Sequence, residues 1–520
     1  MGELEKEIRQ AVSYATEHAT NFFNAKTSED FEKVDKKVFI AKCHEGFDLA
    51  QDLIVKRVLE FEKELKPILE KRKALSRSKK KKELASDSKY SEVLKEERAI
   101  LNKILFFRRV ADVLAWTILK MNKVLIRGTH TLNDHHGFLE DKNIESALDT
   151  IPKIKKPGEF YLINDITTCL GSGAGDMLKV GPGGFQFVEL KTGKINRQVL
   201  EFVLKFKDHI SRKWKEKEVD PEPWMLQDKE VKDFFNINSS LFGDKTLEKH
   251  IERMMRQMDR MHAVLDYDKK NIGKDISLTR TGKETGRRKQ AFVVEAPDKH
   301  AFDHFNDSLD SLKSSPLGFT FLHYGEFMIY LFTDNEHSKI FDLKKNSAFV
   351  RSMNAKHMIH HAMKNDVDRC AYITWKGNPF EKEFAVYSKY LVFDWKQQIM
   401  HDWTLIPPFM LGLDLGHTYD LLFDRKSLFV YFDRKKFVDF LNIASDGKLE
   451  ARATEEIDKE GAGIELRLLG DSKHMPVAQL GWGIIFRMLF EFQSPESIIE
   501  QMMEINTKGD SALPINQIQK

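Results

Sequence analysis

Residues 175–193 read Gly175-Asp176-Met177-Leu178-Lys179-Val180-Gly181-Pro182-Gly183-Gly184-Phe185-Gln186-Phe187-Val188-Glu189-Leu190-Lys191-Thr192-Gly193. Two short apolar runs flank a Gly/Pro cluster, which is the pattern of a β-hairpin. Side chains alternate between the two faces of a strand, so Glu189 and Lys191 share one face, while Val188 and Leu190 share the other. Asp176 opens the preceding strand and comes beside Glu189 and Lys191 if the strands pair. The stretch therefore predicts two carboxylates and an ammonium on one face of a sheet.

These three side chains suit a divalent cation and a phosphodiester. Mg²⁺ is commonly held by one or two carboxylates together with water and substrate phosphate oxygens, so Asp176 and Glu189 are the predicted metal ligands. A bound ion lowers the pKa of its water and neutralises charge that develops on the phosphate. Lys191 can orient the attacking water or stabilise that charge. Mg²⁺ is the predicted cofactor, with Mn²⁺ as an alternative ion.

Two alternatives to this site stay open at the level of sequence. Glu-x-Lys also occurs in exposed strands as an ion pair without a catalytic role. Asp165 competes with Asp176 for the role of first carboxylate, because residues 162–166 also have the composition of a strand. We favour Asp176 because it is closer to the hairpin.

The arrangement resembles the PD-(D/E)xK, or restriction-endonuclease-like, nuclease superfamily, whose signature is an Asp that opens one strand and a (Glu/Asp)-x-Lys on the next. The matching residues are Asp176 and Glu189-Leu190-Lys191, and the resemblance covers residues 95–215. Gln198 begins a segment similar to the Gln-x-x-x-Tyr helix motif of the RecB-like branch, with Phe202 in place of the Tyr. The resemblance implies metal-dependent hydrolysis of nucleic acid, DNA favoured over RNA, in which Gln198 assists from the helix.

The segment that follows the hairpin, residues 194–210, predicts an amphipathic helix with a basic side. Lys194 and Arg197 are the predicted nucleic-acid-binding residues, since such side chains position phosphates. A helix face that is merely solvated is an equal alternative.

The overall prediction is an α/β protein with an N-terminal helical region over residues 1–90. Apolar spacing around residues 53–61 predicts a helix that ends at Lys66-Pro67 or shortly beyond, followed by a second segment. A restriction-endonuclease-like α/β core with a mixed sheet is predicted over residues 91–270, and it begins with a helix over 91–122.

Asp112 lies within that helix, in a mostly apolar phrase. The nuclease superfamily begins with a helix packed on the sheet, which sometimes carries an extra acid, and Asp112 could be that acid. We favour the other interpretation, in which Asp112 is a structural partner of Arg108 or Arg109.

The second half of the chain differs in character. Residues 271–290 are polar and basic and predict a linker. Residues 291–520 predict an α+β domain without an assigned role, with a helix near 298–313 and a hairpin around Gly325. Asp414, His417 and Asp420 cluster in this region and are interpreted as turn or surface residues.

Composition restricts the class of protein more than the substrate. Hydrophobic residues make up 41% and charged residues 31% of the chain, and the net charge is +3, so no overall field indicates nucleic acid. The three cysteines are far apart and form neither a disulfide framework nor a zinc motif. The N-terminus has no apolar signal region, and no stretch is long enough to span a bilayer, so we expect a cytoplasmic protein that does not bind membranes.

The functional prediction is a metal-dependent nuclease acting on DNA. A nuclease domain joined to a second large domain suits an effector of bacterial anti-phage defence, an expectation that rests on fold-level analogy. The alternative is a non-catalytic nucleic-acid-binding protein, or a sensor or scaffold whose activity depends on a partner. A protein partner or a homo-oligomer is open in either case.

Overall fold

The computed structural model describes residues 2–25, 27–78, 87–121, 126, 139, 141–170, 175–188, 300–315, 318–334, 370–375, 406–423, 425–453, 461–469, 477–481, 487–488 and 491–500. Contacts divide the chain into two compact units. Unit 1 comprises residues 1–12, 56–113 and 292–520, and unit 2 comprises residues 13–55 and 114–291. These two units do not test the four segments that the sequence predicts, and that division stays a prediction.

The described elements are helices and short strands. The helices are α1 (Glu3–Thr16), α2 (His18–Phe23), α3 (Ser28–Glu32), α4 (Lys36–Ser78), α5 (Ser88–Ile118), α6 (Asp141–Ile154), α7 (Phe302–Ser311), α8 (Leu415–Leu422) and α9 (Arg434–Ala444). The strands are β1 (Phe160–Ile163), β2 (Met177–Gly181), β3 (Gly184–Val188), β4 (Phe319–Tyr324), β5 (Met328–Asp334), β6 (Cys370–Trp375), β7 (Lys426–Asp433), β8 (Leu449–Ala453), β9 (Gly461–Leu468) and β10 (Val477–Gly481).

The sheet of unit 2 is a three-stranded antiparallel meander in the order β1-β2-β3. All four side chains of β1 are buried. Phe160 packs edge-on against Phe47 of α4, with ring centroids 5.4 Å apart. Among the described residues this sheet has no parallel pair, so the mixed sheet that the sequence predicts stays a prediction.

Gln51 of α4 extends the backbone pairing of β1. Its Nε2 donates to the carbonyl of Tyr161 at 3.0 Å, and its Oε1 accepts from the amide of Ile163 at 2.8 Å. The side chain is only 3% exposed. The amide therefore supplies the partners that a neighbouring strand would otherwise give to β1, at the side of the strand away from β2.

Helix α4 continues through the position where the sequence predicts a break. It runs for 43 residues and contains Pro67, so the expected end at Lys66-Pro67 is wrong. A proline inside a helix removes one backbone hydrogen bond. Phe61 and Leu65 are almost completely buried just before it, and this packing offsets the lost bond.

Helix α5 confirms the strong helix prediction and settles the position of Asp112. This residue is fully buried, and its Oδ2 lies 3.0 Å from Nη1 of Arg109. Arg109 also donates from Nη2 to the carbonyl of Ile406 at 2.9 Å. A buried charge needs a partner of this kind, so the interpretation of Asp112 as a structural partner of Arg109 is confirmed.

Unit 1 contains a four-stranded sheet in the order β4-β5-β7-β6 and a three-stranded sheet in the order β10-β9-β8, each antiparallel where described. The predicted hairpin around Gly325 is confirmed by the pairing of Tyr324 with Met328. Gly325 has φ +59°, a conformation that favours glycine. Phe305 of α7 packs on Tyr330 and Phe332, with centroids 4.6 and 5.6 Å away, and forms an aromatic core.

The described structure is thus a mixture of helices and small antiparallel sheets, which confirms the α/β class in general terms. The helices of the described ranges include none that is long and apolar enough to cross a membrane.

Candidate functional site

The β2–β3 hairpin forms as the sequence predicts, up to Val188. Gly181 pairs with Gly184 across a turn made by Pro182 and Gly183, and the register continues to the pair Met177–Val188. Gly184 has φ +96°, which a residue with a side chain rarely adopts. The Gly/Pro cluster therefore fixes the register of both strands, and Asp176 stands immediately before β2.

The backbone of Asp176 is held from both sides of the sheet. Its amide donates to the carbonyl of Val188 at 3.0 Å, and its carbonyl accepts from the amide of Asn164 at 2.9 Å. Val188 is also the register partner of Met177. Two consecutive residues thus oppose one, an arrangement typical of a β-bulge, which re-aims side chains and is frequent beside active sites. The side chain of Asp176 belongs to a half-buried residue.

Asn164 bonds to the residue that precedes Asp176. Its side-chain Nδ2 donates to the carbonyl of Gly175 at 2.9 Å, and the residue is 1% exposed. Its own carbonyl accepts from both the amide and the hydroxyl of Thr167, at 2.9 and 2.8 Å. Gly175 has φ +75°, so the chain turns sharply there before Asp176. We call Asn164, Gly175, Asp176 and Val188 the Asp176 bracket.

The rival carboxylate, Asp165, lies at the same end of the sheet. Strand β1 ends at Ile163, and Asp165 is exposed in a single 3₁₀ turn over Asn164–Ile166. The predicted strand over 162–166 is therefore wrong from Asn164 onward. Because Asp165 follows Asn164, which pairs with Asp176, both candidate acids belong to one end of the meander, and the choice between them stays open.

The remaining predicted site residues lie outside the described residues. They are the catalytic Glu189, Lys191 and Gln198 and the phosphate-binding Lys194 and Arg197. Strand β3 is described to Val188, one residue before Glu189.

Lys179 of β2 is the lysine of this hairpin that the structure describes, and it forms an ion pair with a neighbouring side chain. Its Nζ lies 2.7 Å from Oε1 of Glu159, and Tyr161 donates its hydroxyl to Oε2 of Glu159 at 3.2 Å. The bond to Glu159 raises the pKa of Lys179, and the same bond from Lys179 lowers the pKa of the Glu159 carboxyl. Lys179 is therefore a structural ion-pair partner of Glu159, and we do not assign to it the catalytic role predicted for Lys191.

A second polar group lies in unit 1, where Asp310 and Lys426, which the sequence did not single out, join the predicted cluster of Asp414, His417 and Asp420. We call Asp310, Asp414, His417, Asp420 and Lys426 the His417 cluster. Ligand atoms of Asp310, Asp414 and His417 all lie within 4.8 Å of one another. His417 is 6% exposed, so its interpretation as a turn or surface residue is wrong. It lies on the buried side of α8, and Asp414 stands at the N-cap position of that helix.

The hydrogen bonds of His417 argue against a metal in this cluster. Nζ of Lys426 lies 3.0 Å from Nδ1 of His417, and Oδ1 of Asp310 lies 3.3 Å from its Nε2. A lysine ammonium only donates, so Nδ1 accepts and the ring proton resides on Nε2, facing Asp310. A metal needs a ring nitrogen with a lone pair. The arrangement therefore favours a structural relay from Lys426 through His417 to Asp310.

Electrostatics agree with a neutral His417. Burial lowers the pKa of His417, and the ammonium of Lys426 lowers it further, against the opposing effect of Asp310, Asp414 and Asp420. Lys426 itself is 5% exposed and also lies 3.3 Å from Asp420. Arg425 donates to Asp420 as well, at 2.7 Å. Basic side chains therefore contact His417, Asp310 and Asp420, and Lys313 outside the cluster pairs with Asp310 at 3.0 Å.

Asn164 could have been found from the Asn-Asp pair that ends the apolar run before the Gly-rich stretch, since Asn is common where strands give way to turns. The chain matches no protein-family model, no curated protein and no solved structure.

Proposed function

We propose that this protein is a Mg²⁺-dependent nuclease that hydrolyses phosphodiester bonds, with DNA as the favoured substrate. The observation that carries the proposal is the Asp176 bracket. A carboxylate-bearing residue is fixed by backbone bonds at the opening of β2, and the neighbouring strand β3 leads directly into Glu189-Leu190-Lys191 in the sequence.

The proposed roles follow from the chemistry of each group. Asp176 and Glu189 hold Mg²⁺, or Mn²⁺ in its place, through carboxylate oxygens. The ion lowers the pKa of a bound water and neutralises the phosphate. Lys191 orients the water or stabilises the developing charge. Gln198 assists, and Lys194 and Arg197 position the phosphate backbone.

The finer fold belongs to the same proposal. Helix α5, predicted over residues 91–122 as the first helix of the core, is followed along the chain by α6 and the three antiparallel strands β1-β2-β3, an order compatible with the restriction-endonuclease-like core that the motif resembles. The Asp opens β2, and the Glu-x-Lys triplet follows β3. The proposal of that core is supported by these positions alone, since no solved structure matches the chain.

The cellular role is proposed by analogy of architecture. A nuclease acting in the cytoplasm and controlled by unit 1 or by a protein partner would suit anti-phage defence. A protein that binds nucleic acid without cleaving it is the alternative, and metal dependence separates the two.

The test is cleavage of plasmid, linear duplex and single-stranded DNA, with RNA as a fourth substrate, in Mg²⁺, Mn²⁺ or EDTA. We expect Glu189→Gln and Lys191→Ala each to lower the cleavage rate at least about 100-fold, the scale of losing one preorganised electrostatic contact. Gln186→Ala is the control, because Gln186 is exposed on β3 of the same hairpin. Cleavage that persists in EDTA or in both variants would contradict the proposal.

A further inference from the structure

We propose that Asn164 is a positioning residue for the metal site, acting through the backbone of Gly175 and Asp176. The inference rests on the proposed function, because it concerns how that site holds its ion. It adds a residue that the motif does not contain.

Asn164 contacts the bracket twice, with two different groups. Its backbone amide donates to the carbonyl of Asp176, and its side chain donates to the carbonyl of Gly175, both at 2.9 Å. The first bond belongs to the pairing of adjacent strands, and any residue except proline could make it. The second needs an amide donor of this length, which makes the side chain of Asn164 specific for the position.

Hydrogen bonds from Thr167 stabilise the bracket. The hydroxyl of Thr167 donates to the carbonyl of Asn164 at 2.8 Å and accepts from the amide of Leu170 at 3.1 Å. Asn164 and Thr167 are almost completely buried. Groups so placed have little freedom to move, and the turn at Gly175 inherits that rigidity.

Position matters because metal ligands tolerate little displacement. A binding constellation must be held to within about 0.5 Å of its productive geometry by surrounding hydrogen bonds. Residues that orient ligands without touching the ion typically change metal affinity about 10- to 100-fold when they are mutated. Loss of the Asn164 bond frees Gly175, and Asp176 moves with it.

The experiment compares Asn164→Asp with Asn442→Asp. Asn442 of α9 is a matched control, since its side chain also bonds backbone groups: Nδ2 donates to the carbonyl of Ala451 at 3.0 Å, and the amide of Ala451 donates to Oδ1 at 2.7 Å. Both substitutions exchange a donor for an acceptor at nearly constant size. Mn²⁺ binding is measured by titration without nucleic acid, together with the Mg²⁺ concentration for half-maximal cleavage and the thermal midpoint.

We expect Asn164→Asp to weaken Mn²⁺ binding at least about tenfold, with a matching rise in the Mg²⁺ requirement. Asn442→Asp lowers the thermal midpoint and leaves both metal constants unchanged. Asn164→Ser, which removes the bond without adding a charge, shows the same weakening if the aspartate variant does not fold. Unchanged metal affinity in a folded Asn164 variant, or equal weakening in Asn442→Asp, overturns the inference.

Asp176→Asn separates this result from failure of the proposed function. If Asp176→Asn abolishes Mn²⁺ binding and the Asn164 variants do not weaken it, the metal site stands and the positioning role falls. If wild type binds no Mn²⁺, or if Asp176→Asn binds it as wild type does, both proposals fall together.

Discussion

The Asp176 bracket in unit 2 and the His417 cluster in unit 1 gather polar residues in opposite ways. In the bracket, backbone groups and one buried amide fix a short stretch of chain around a single acid. In the cluster, the side chains bind one another, from Lys426 to His417 to Asp310. The cluster has more of the residue types that bind metals, whereas the bracket is held mainly through bonds to backbone groups.

The difference teaches that proximity of ligand-type residues alone does not establish a metal site. Nε2 of His417, which faces Asp310, carries a proton because Nδ1 accepts from Lys426. Side chains that satisfy each other stabilise a fold. A carboxylate-bearing residue positioned by backbone bonds is better suited to a role in chemistry.

The largest expected effect is a difference in cleavage rate between variants of the bracket and variants of the cluster. Asp176→Asn removes a proposed ligand charge, and we expect the cleavage rate to fall at least about 100-fold. Asp414→Asn changes an equally simple carboxylate in the His417 cluster, and we expect a rate within about twofold of wild type. Both are measured with the preferred substrate in Mg²⁺. A large loss in Asp414→Asn with none in Asp176→Asn would reverse the assignment.

Next in size is the loss of the Gln51 amide beside β1. Gln51→Leu leaves the carbonyl of Tyr161 and the amide of Ile163 without their side-chain partner, and each such buried group costs about 1–3 kcal/mol. Urea denaturation measures the free energy of unfolding. Lys56→Ala, at an exposed position of the same helix, is expected to change it by less than about 0.5 kcal/mol. Equal effects of the two variants would mean that Gln51 does not support the sheet.

Removal of the ammonium from the His417 cluster is expected to cost somewhat less. Lys426→Met keeps the buried aliphatic stem but takes away the donor to His417, which we expect to lower the free energy of unfolding by about 1–3 kcal/mol. Lys436→Met is the control, because Lys436 is 49% exposed and pairs with exposed Glu326. Exposed ion pairs contribute at most about 1 kcal/mol. A stable Lys426→Met protein would show that the cluster is not structural.

The smallest effect is a pH dependence. The pKa of His417 is lowered in the folded protein by burial and then by Lys426, so its stabilising contribution is present above the ordinary histidine pKa of about 6.5. It is lost as the pH falls from there towards the folded pKa, since protons then bind the unfolded chain preferentially. We expect His417→Asn to lose less stability than wild type when the pH falls from about 7.5 to about 5, a range that spans the ordinary histidine pKa.

Thermal unfolding at the two pH values measures this difference. His304→Asn, at an exposed histidine of α7, is expected to retain the full wild-type loss. Burial also lowers the pKa of His44, so a part of the acid loss persists in His417→Asn. Identical pH dependence in His417→Asn and wild type would contradict the relay.

Local signals in the sequence predicted what local physics controls. Gly/Pro turns gave the β2–β3 hairpin, Gly325 gave the β4–β5 hairpin, and apolar periodicity gave α5. Pro67 misled because buried packing sustains α4 through a residue that disfavours helix on its own. Propensity is only a weak prior against tertiary packing.

The site depends on contacts between residues distant in sequence, which patterns do not display. Gln51 bonds to residues 110 and 112 positions away. His417 contacts Asp310, more than a hundred positions earlier, and Lys426. The side chain of Asn164 bonds to Gly175, 11 positions away. The acid motif was visible in the sequence, and the Asn164-Asp165 pair marked a turn there, but the bond from Asn164 to Gly175 was not visible.

The most direct measurement is Fe²⁺-directed backbone cleavage. Fe²⁺ replaces Mg²⁺, ascorbate and peroxide generate radicals at the bound ion, and mass spectrometry locates the cuts. Our account predicts cuts near Asp176 and Glu189 that excess Mg²⁺ suppresses and that Asp176→Asn abolishes. Cuts near Asp310 and Asp414 would place the ion in the His417 cluster and contradict the account.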